Sequence, residues 1–312
     1  MKLVMVNDCA FVGETLLKYM PPELEKQHIK RSRSFLSKTF GVAFKILRAK
    51  GDVYHTNYLL QDCYVANRLG KKPLIGHAHG SDLRISLNHF AWGRIVRHNL
   101  KHCDKILVST PDILGIAKRY RKDAEYLPNP IDPKLFYPKP AFQKGKKKKV
   151  LIASDSNWSV KGTDIAIKAL SKIKEVDVSI VQQGKDYDKT TALASSLGLN
   201  LKILPKVSHE KVNEYYWDAD VVIDRFALGS LGMVSLEAIA CGRPAIAYVS
   251  SEYPENKDFP LKDLKDEETI ANTISNLPSD LWEKEHRFLK KYHDVKNIES
   301  RLLSIYEELA KR

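Results

Sequence analysis

Residues 219–249 read ADVVIDRFALGSLGMVSLEAIACGRPAIAYV, and this stretch decides the fold. The apolar run inside Ala219–Asp224 predicts a buried strand. Gly229, Ser230 and Gly232 then make a loop. An apolar helix is predicted from about Gly232 to Cys241. Gly242 suits a left-handed C-cap, and Pro244 stops the helix from continuing. Ala245–Val249 is the next strand. Strand, glycine-rich loop, helix and strand together form the repeating unit of a parallel sheet with crossover helices. Free N–H groups at a helix start attract anions, and glycines let a phosphate approach closely. Gly232, Met233 and Val234 therefore suit a diphosphate. Glu237, one turn further on, suits ribose hydroxyls, because an ionised carboxylate only accepts hydrogen bonds. The plainer alternative is a solvated glutamate after an ordinary turn.

The same alternation extends along the chain. Strands are predicted at Leu3–Val6, Val53–His55, Leu74–Ala78, Lys105–Val108 and Glu125–Leu127. Helices are predicted at Phe35–Ala49, Gln61–Leu69, Trp92–His102 and Ile113–Arg119. The segment Tyr137–Lys149, YPKPAFQKGKKKK, breaks the pattern with prolines, a glycine and a lysine cluster. The pattern restarts at Val150–Ala153. Strands at Asp177–Val181 and Leu201–Leu204 follow, with helices at Thr163–Lys174, Thr190–Leu197 and His209–Asp218. The tail from Glu267 reads as helical. The expected organisation is an α/β chain of two Rossmann-like domains facing a cleft. Residues 1–140 form the first domain, 141–149 a linker and 150–290 the second. The last helix, 291–312, is expected to pack back on the first domain.

The chain has 312 residues, 43% hydrophobic and 29% charged, which excludes collagen-like and low-complexity classes. Its net charge of +13 is unevenly placed. Residues 1–148 hold 28 Lys/Arg against 12 Asp/Glu, and the remainder is slightly acidic. The basic half points to an anionic surface or substrate. The four cysteines, Cys9, Cys63, Cys103 and Cys241, are isolated, so a reduced, cytoplasmic setting is expected. There is no ~18-residue apolar run and no signal-peptide pattern. His28–Lys50 mixes Lys30, Arg31, Arg33, Lys38, Lys45, Arg48 and Lys50 with Phe35, Leu36, Phe40, Val42, Phe44, Ile46 and Leu47. A basic amphipathic helix of this kind suits the inner face of an anionic membrane, though its apolar side is equally suited to a domain core. No nucleic-acid motif accompanies the charge, so no nucleic-acid partner is expected.

Three further motifs complete the pattern. Ser154–Asp164, SDSNWSVKGTD, follows the first strand of the second half and carries Lys161. His77–Arg84, HAHGSDLR, carries His79, Gly80, Ser81 and Asp82 after a strand. Leu127–Phe136 reads LPNPIDPKLF. With residues 219–249, these resemble retaining glycosyltransferase family 4, which has the GT-B fold. The resemblance covers nearly the entire chain in order and spacing.

It implies that Lys161 holds the donor diphosphate and that Glu237 is the second of two glutamates eight positions apart. It places His79 beside the donor sugar, and Lys206 and Val207 against the nucleotide base. Gly13, after the first strand, lies where the family has glycines near phosphate or acceptor. Two positions depart from the pattern. The first glutamate falls at Gly229, and an arginine six residues before Lys161 falls at Asp155. Asp224 and Arg225, with Gly229 and Ser230, are then the candidates for sugar contact.

The expected activity is transfer of a hexose, with retention, from a nucleotide diphosphate donor. A UDP-sugar is preferred over a GDP-sugar, and the acceptor is lipid-linked or a polysaccharide. His79, Lys161 and Glu237 are the catalytic candidates. No Asp-x-Asp metal motif is evident, so neither metal nor cofactor is expected. The alternatives are a nucleotide-sugar epimerase of the same fold and a non-catalytic nucleotide-sugar-binding protein.

Overall fold

The computed structural model describes residues 1–31, 41–140 and 147–311. The chain divides into two compact units. The first is Met1–Pro130 with Asp294–Arg312, and the second is Ile131–His293. The first boundary falls ten residues before the expected 140, because Ile131 and Phe136 are buried in the second unit's core.

The first unit is built on six strands: β1 (Lys2–Val6), β2 (Glu25–Ile29), β3 (Val53–Asn57), β4 (Leu74–Ala78), β5 (Lys105–Val108) and β6 (Glu125–Tyr126). They form one parallel sheet in the order β2-β1-β3-β4-β5-β6. The connecting helices are α1 (Val12–Tyr19), α2 (Val42–Arg48), α3 (Gln61–Arg68), α4 (Ser81–Arg84), α5 (Trp92–His102) and α6 (Leu114–Lys118). Side chains alternate across a strand. Val4, Val6, Tyr54, Leu74 and Ile106 accordingly share one core with Ile46 of α2, Ala66 of α3 and Leu100 of α5. Each such aliphatic side chain stabilises the fold by about 1.5–3 kcal/mol. The strand residues in between, His55 and His77 among them, are also buried. The C-terminal helix, Val295–Ala310, belongs to this unit and bonds it there, the Tyr306 hydroxyl lying 2.6 Å from His55 Nδ1.

The second unit has β7 (Lys148–Ile152), β8 (Val176–Val181), β9 (Leu201–Leu204), β10 (Val221–Ile223) and β11 (Ala245–Ile246), all parallel, in the order β11-β10-β7-β8-β9. Its helices are α7 (Trp158–Lys161), α8 (Thr163–Leu170), α9 (Tyr187–Ser196), α10 (Val212–Asp218), α11 (Met233–Ala240), α12 (Glu267–Ser275) and α13 (Leu281–Tyr292). Strand β7 feeds two cores by alternation. Leu151 packs with Leu236 and Ile239 of α11, whereas Val150 and Ile152 pack with Ile167 and Leu170 of α8. The sheet order reverses between β7 and β10. Ligands of open parallel sheets bind at the carboxyl ends of strands flanking such a switch point.

Two elements differ from expectation. Strand β2, EKQHI, is a half-exposed edge strand with little apolar content, held by pairing with β1. Helix α1 starts after left-handed residues Asn7, Ala10 and Phe11, where the sequence offers no glycine cue. The Asp8 carboxylate supports its start, accepting the N–H groups of Gly13 at 3.0 Å and Glu14 at 3.1 Å.

The predicted amphipathic helix is also corrected. His28 lies in β2, residues 32–40 fall outside the described residues, and α2 begins at Val42. Val42 and Ile46 point into the core, while Phe44 and Leu47 stay exposed. No helix among the described residues is long and apolar enough to cross a membrane.

Candidate active site

The two loops that leave β7 and β10 at the switch point meet around one carboxylate. Asp224, just past β10, has a fully buried side chain. Its Oδ1 accepts from Lys161 Nζ at 3.2 Å. Its Oδ2 accepts from the Gly232 N–H at 2.9 Å and from Ser235 Oγ at 2.9 Å. Arg225 Nε stands 3.6 Å from the same oxygen. Burial alone would raise the Asp224 pKa, but Lys161 and Arg225 outweigh it and hold the group ionised well below the usual carboxylate range. Burial and then repulsion from Arg225 lower the Lys161 pKa.

Asp224 was expected at the sugar. In this structure its carboxylate is turned inward and occupied by protein donors. It anchors Lys161, Arg225 and the first turn of α11 together.

Lys161 ends α7, and Gly162 follows in the left-handed region at φ 63°. That turn lets the chain reverse into α8 while the lysine side chain reaches Asp224. The backbone is locked by Phe226 N–H donating to the Lys161 carbonyl at 2.8 Å. Helix α11 starts at Gly232 without a side-chain cap, and Met233 and Val234 are half-buried in its first turn. Its N–H groups are available to an anion.

Glu237, one turn on, is nearly buried. Its Oε2 accepts from the Tyr216 hydroxyl at 2.7 Å, and its Oε1 lies 2.9 Å from His209 Nε2. Sequence reasoning counted His209 only as a helix start. No local pattern marks its role, because its partner is 28 positions away. Lys206 is exposed and Val207 half-buried in the loop that leads into His209.

Gly229 is a structural departure from the family pattern. It sits at φ 66°, where L side chains are strained. A Cβ there would lie 3.0 Å from Ser250 Cβ and 3.2 Å from Tyr248 Cε1. Its carbonyl accepts from Ser250 N–H at 2.9 Å and Asn256 Nδ2 at 3.1 Å. Ser230 beside it is fully buried. Asp155, where the family has arginine, is exposed.

In the first unit, the H-G-S-D loop is built around Asp82. This buried carboxylate accepts four backbone N–H groups: Gly80 at 2.9 Å, Leu59 at 3.0 Å, Leu83 at 3.1 Å and His79 at 3.4 Å. Gly80, at φ 119°, makes the turn, and Ser81 is exposed at the start of α4. His79 Nε2 lies 2.9 Å from Asn57 Oδ1. Asn57 Nδ2 already donates to the Asn7 carbonyl, so the His79 proton sits on Nε2 and Nδ1 is a lone pair.

His55 Nε2 meets His77 Nδ1 at 3.2 Å, and the His77 and His79 rings are 4.3 Å apart. Burial pushes His55 and His79 down to about 3 and His77 well below the usual range, so all three are neutral. A Cβ added at Gly13, in the first turn of α1, would lie 3.0 Å from Asn57 Nδ2 and from Met5 Sδ, which leaves little room for a larger residue.

Two all-parallel sheets with helical crossovers match the GT-B fold. Residues 138–291, nearly all of the second unit, match the family described as Glycosyl transferases group 1. An uncharacterized glycosyltransferase of Methanocaldococcus jannaschii is 25% identical, over 91% of this chain and 84% of its own. The N-acetyl-alpha-D-glucosaminyl L-malate synthase of Bacillus anthracis is 23% identical, over 65% and 58%. Among solved structures, sucrose-phosphate synthase from Thermosynechococcus elongatus aligns over 99% of both chains, with TM-score 0.75 and 17% identity. Anabaena HepE, in complex with UDP and glucose, aligns over 99% of this chain and 100% of its own, with TM-score 0.76 and 15% identity.

Proposed function

We propose that this chain is a retaining glycosyltransferase that moves a hexose from a nucleotide diphosphate to a lipid-linked or polysaccharide acceptor. The observation that carries the reading is the cluster of Lys161, Arg225 and the uncapped start of α11 around Asp224, which favours an anion where the sheet order reverses. In this reading Lys161, Gly232, Met233 and Val234 bind the diphosphate and Glu237 the ribose. Lys206 and Val207 border the base. A UDP-sugar is the preferred donor, a choice supported by the UDP complex of Anabaena HepE.

Retention is carried by the family resemblance, and the carboxylates at hand favour a route without a covalent intermediate. Asp224 and Glu237 are both buried and held by protein donors, so neither is placed as a nucleophile. The bond from the anomeric carbon to the β-phosphate oxygen breaks, and its electrons go to that oxygen. The acceptor oxygen attacks from the same face and gives its proton to the departing phosphate. Lys161 stabilises the charge that develops. In this reading neutral His79 lies beside the donor sugar, Gly80, Ser81 and Asp82 form the acceptor-side loop, and Gly13 joins the diphosphate site.

A membrane-borne acceptor is favoured by exposed Phe44 and Leu47 beside Lys45 and Arg48 on α2, and by exposed Phe90 beside Arg94. The enzyme then works at the cytoplasmic face of an anionic leaflet. Cosedimentation with anionic vesicles at low salt tests this, and no binding rejects it.

Thermal-shift titration with UDP, GDP and their sugars tests the donor site. A ligand at 100 times its Kd adds about 2.7 kcal/mol. No shift with any of them rejects the reading. Product analysis separates the alternatives: an epimerase isomerises the nucleotide-sugar without an acceptor. The missing side chain at Gly229 favours a non-catalytic binder as the second reading, and transfer to any acceptor excludes it.

A further inference from the structure

Arg225 is unusual for a residue at a sheet switch point. Its side chain is only 12% exposed. Its Nε is buried and has no hydrogen-bond partner among the described residues. Its carbonyl accepts from Tyr248 N–H at 2.7 Å, which fixes the backbone between β10 and β11.

The guanidinium lies directly over the first turn of α11. A Cβ at Gly232 would overlap Arg225 Nη2 and Asp224 Oδ2. Gly232 is therefore required where it stands, so that this cation can rest against the helix start. One buried carboxylate, Asp224, faces two cations, Lys161 and Arg225. The cluster keeps one uncompensated positive charge, aimed at the end of α11 whose dipole is also positive. A buried guanidinium that shares one carboxylate with a lysine and leaves its Nε without a hydrogen bond costs free energy, which a bound anion would offset.

On the other side of the same crevice, residue 155 in the loop after β7 is an exposed aspartate and supplies no cation. Lys161 is thus the cation from the β7 side and Arg225 the cation from the β10 side.

We infer that Arg225 is a ligand of the donor diphosphate, sharing it with Lys161, and is not a sugar-reading residue. This rests on the donor-site reading above. Charge builds on the β-phosphate oxygen as its bond to the anomeric carbon breaks, and Arg225 lowers the energy of that charge with Lys161. The guanidinium presents several donors in a planar fork, so it can engage two phosphate oxygens while its Nε faces Asp224.

The test is calorimetric titration of the full chain and of Arg225→Gln and Arg225→Lys with UDP, UMP, GDP, GMP, inorganic pyrophosphate and UDP-glucose. For whichever nucleoside diphosphate the unmodified chain binds, Arg225→Gln weakens it tenfold to a hundredfold and leaves the monophosphate within twofold. Arg225→Lys recovers part of the loss, and pyrophosphate follows the diphosphate. If Arg225→Gln leaves the diphosphate unchanged and weakens only UDP-glucose, Arg225 reads the sugar and the inference is overturned. If the glutamine variant does not fold, the lysine variant decides by the same comparison, since it keeps the charge that balances Asp224. A chain that binds no nucleoside diphosphate at all loses the donor site, and this role with it.

Discussion

His209 Nε2 stands 2.9 Å from Glu237 Oε1, tying the loop after β9 to helix α11. Tyr216 holds the other carboxylate oxygen. Glu237 is therefore held by two protein partners, so in the proposed donor site little side-chain entropy would be lost on meeting a ribose. His209→Ala should weaken nucleotide binding about fivefold, the worth of about 1 kcal/mol. Glu237→Ala should weaken it further. Titration calorimetry measures both, and unchanged affinity in both variants removes the ribose role.

The Asp224 cluster is a buried ion network. Asp224→Asn leaves Lys161 and Arg225 without their counter-charge, and breaking such a pair from one side costs about 3–5 kcal/mol. The melting temperature of the unliganded chain should fall by roughly 10 °C. Lys161→Met should cost less stability, because Arg225 still balances Asp224, yet it should lower kcat by roughly a hundredfold. Equal loss of stability in both variants contradicts this division of labour.

Gly229→Glu would insert the glutamate that the family pattern has at this position. It should destabilise rather than improve activity. The backbone at φ 66° costs about 1 kcal/mol for a non-glycine residue, and Ser250, Tyr248 and Tyr253 close around the new Cβ. Thermal unfolding of the variant checks this, and a gain in stability or turnover contradicts it.

The histidines of the first unit predict a pH effect. His55 and His79 are pushed down to about 3 and His77 lower still, whereas each titrates near 6.5 when unfolded. Between those values the unfolded chain binds more protons, so stability falls as pH drops below about 6.5, by up to about 1.4 kcal/mol per group and pH unit. Asp224 acts lower, its contribution being lost only below the ordinary carboxylate range. Urea unfolding at pH 7.5, 6.5 and 5.5 measures this. His55→Gln should flatten the pH dependence, and an unchanged midpoint across the series contradicts it.

Much of the fold was legible because parallel strands are short apolar runs, and β1, β3, β4, β5 and β7 to β11 announce themselves that way. Strand β2 does not, since as an edge strand it is stabilised by pairing and has little apolar patterning. Helix α1 was hidden because its start depends on three left-handed non-glycine residues that no propensity marks. At the site, glycines and the lysine were readable as backbone and charge chemistry. The inward turn of Asp224 and the reach of His209 were not, because both depend on partners many positions away.

The C-terminal helix carries a consequence for how this chain is made. The first unit opens the sequence and also closes it, with Ile298, Leu302 and Tyr306 buried in its interior. While the ribosome is still translating, the first unit lacks those side chains and His55 lacks its hydroxyl partner. The second unit, encoded without interruption, has all of its own residues earlier. Synthesis from the amino end therefore supplies every residue of the second unit before residues 294–312, on which closure of the first unit's core waits.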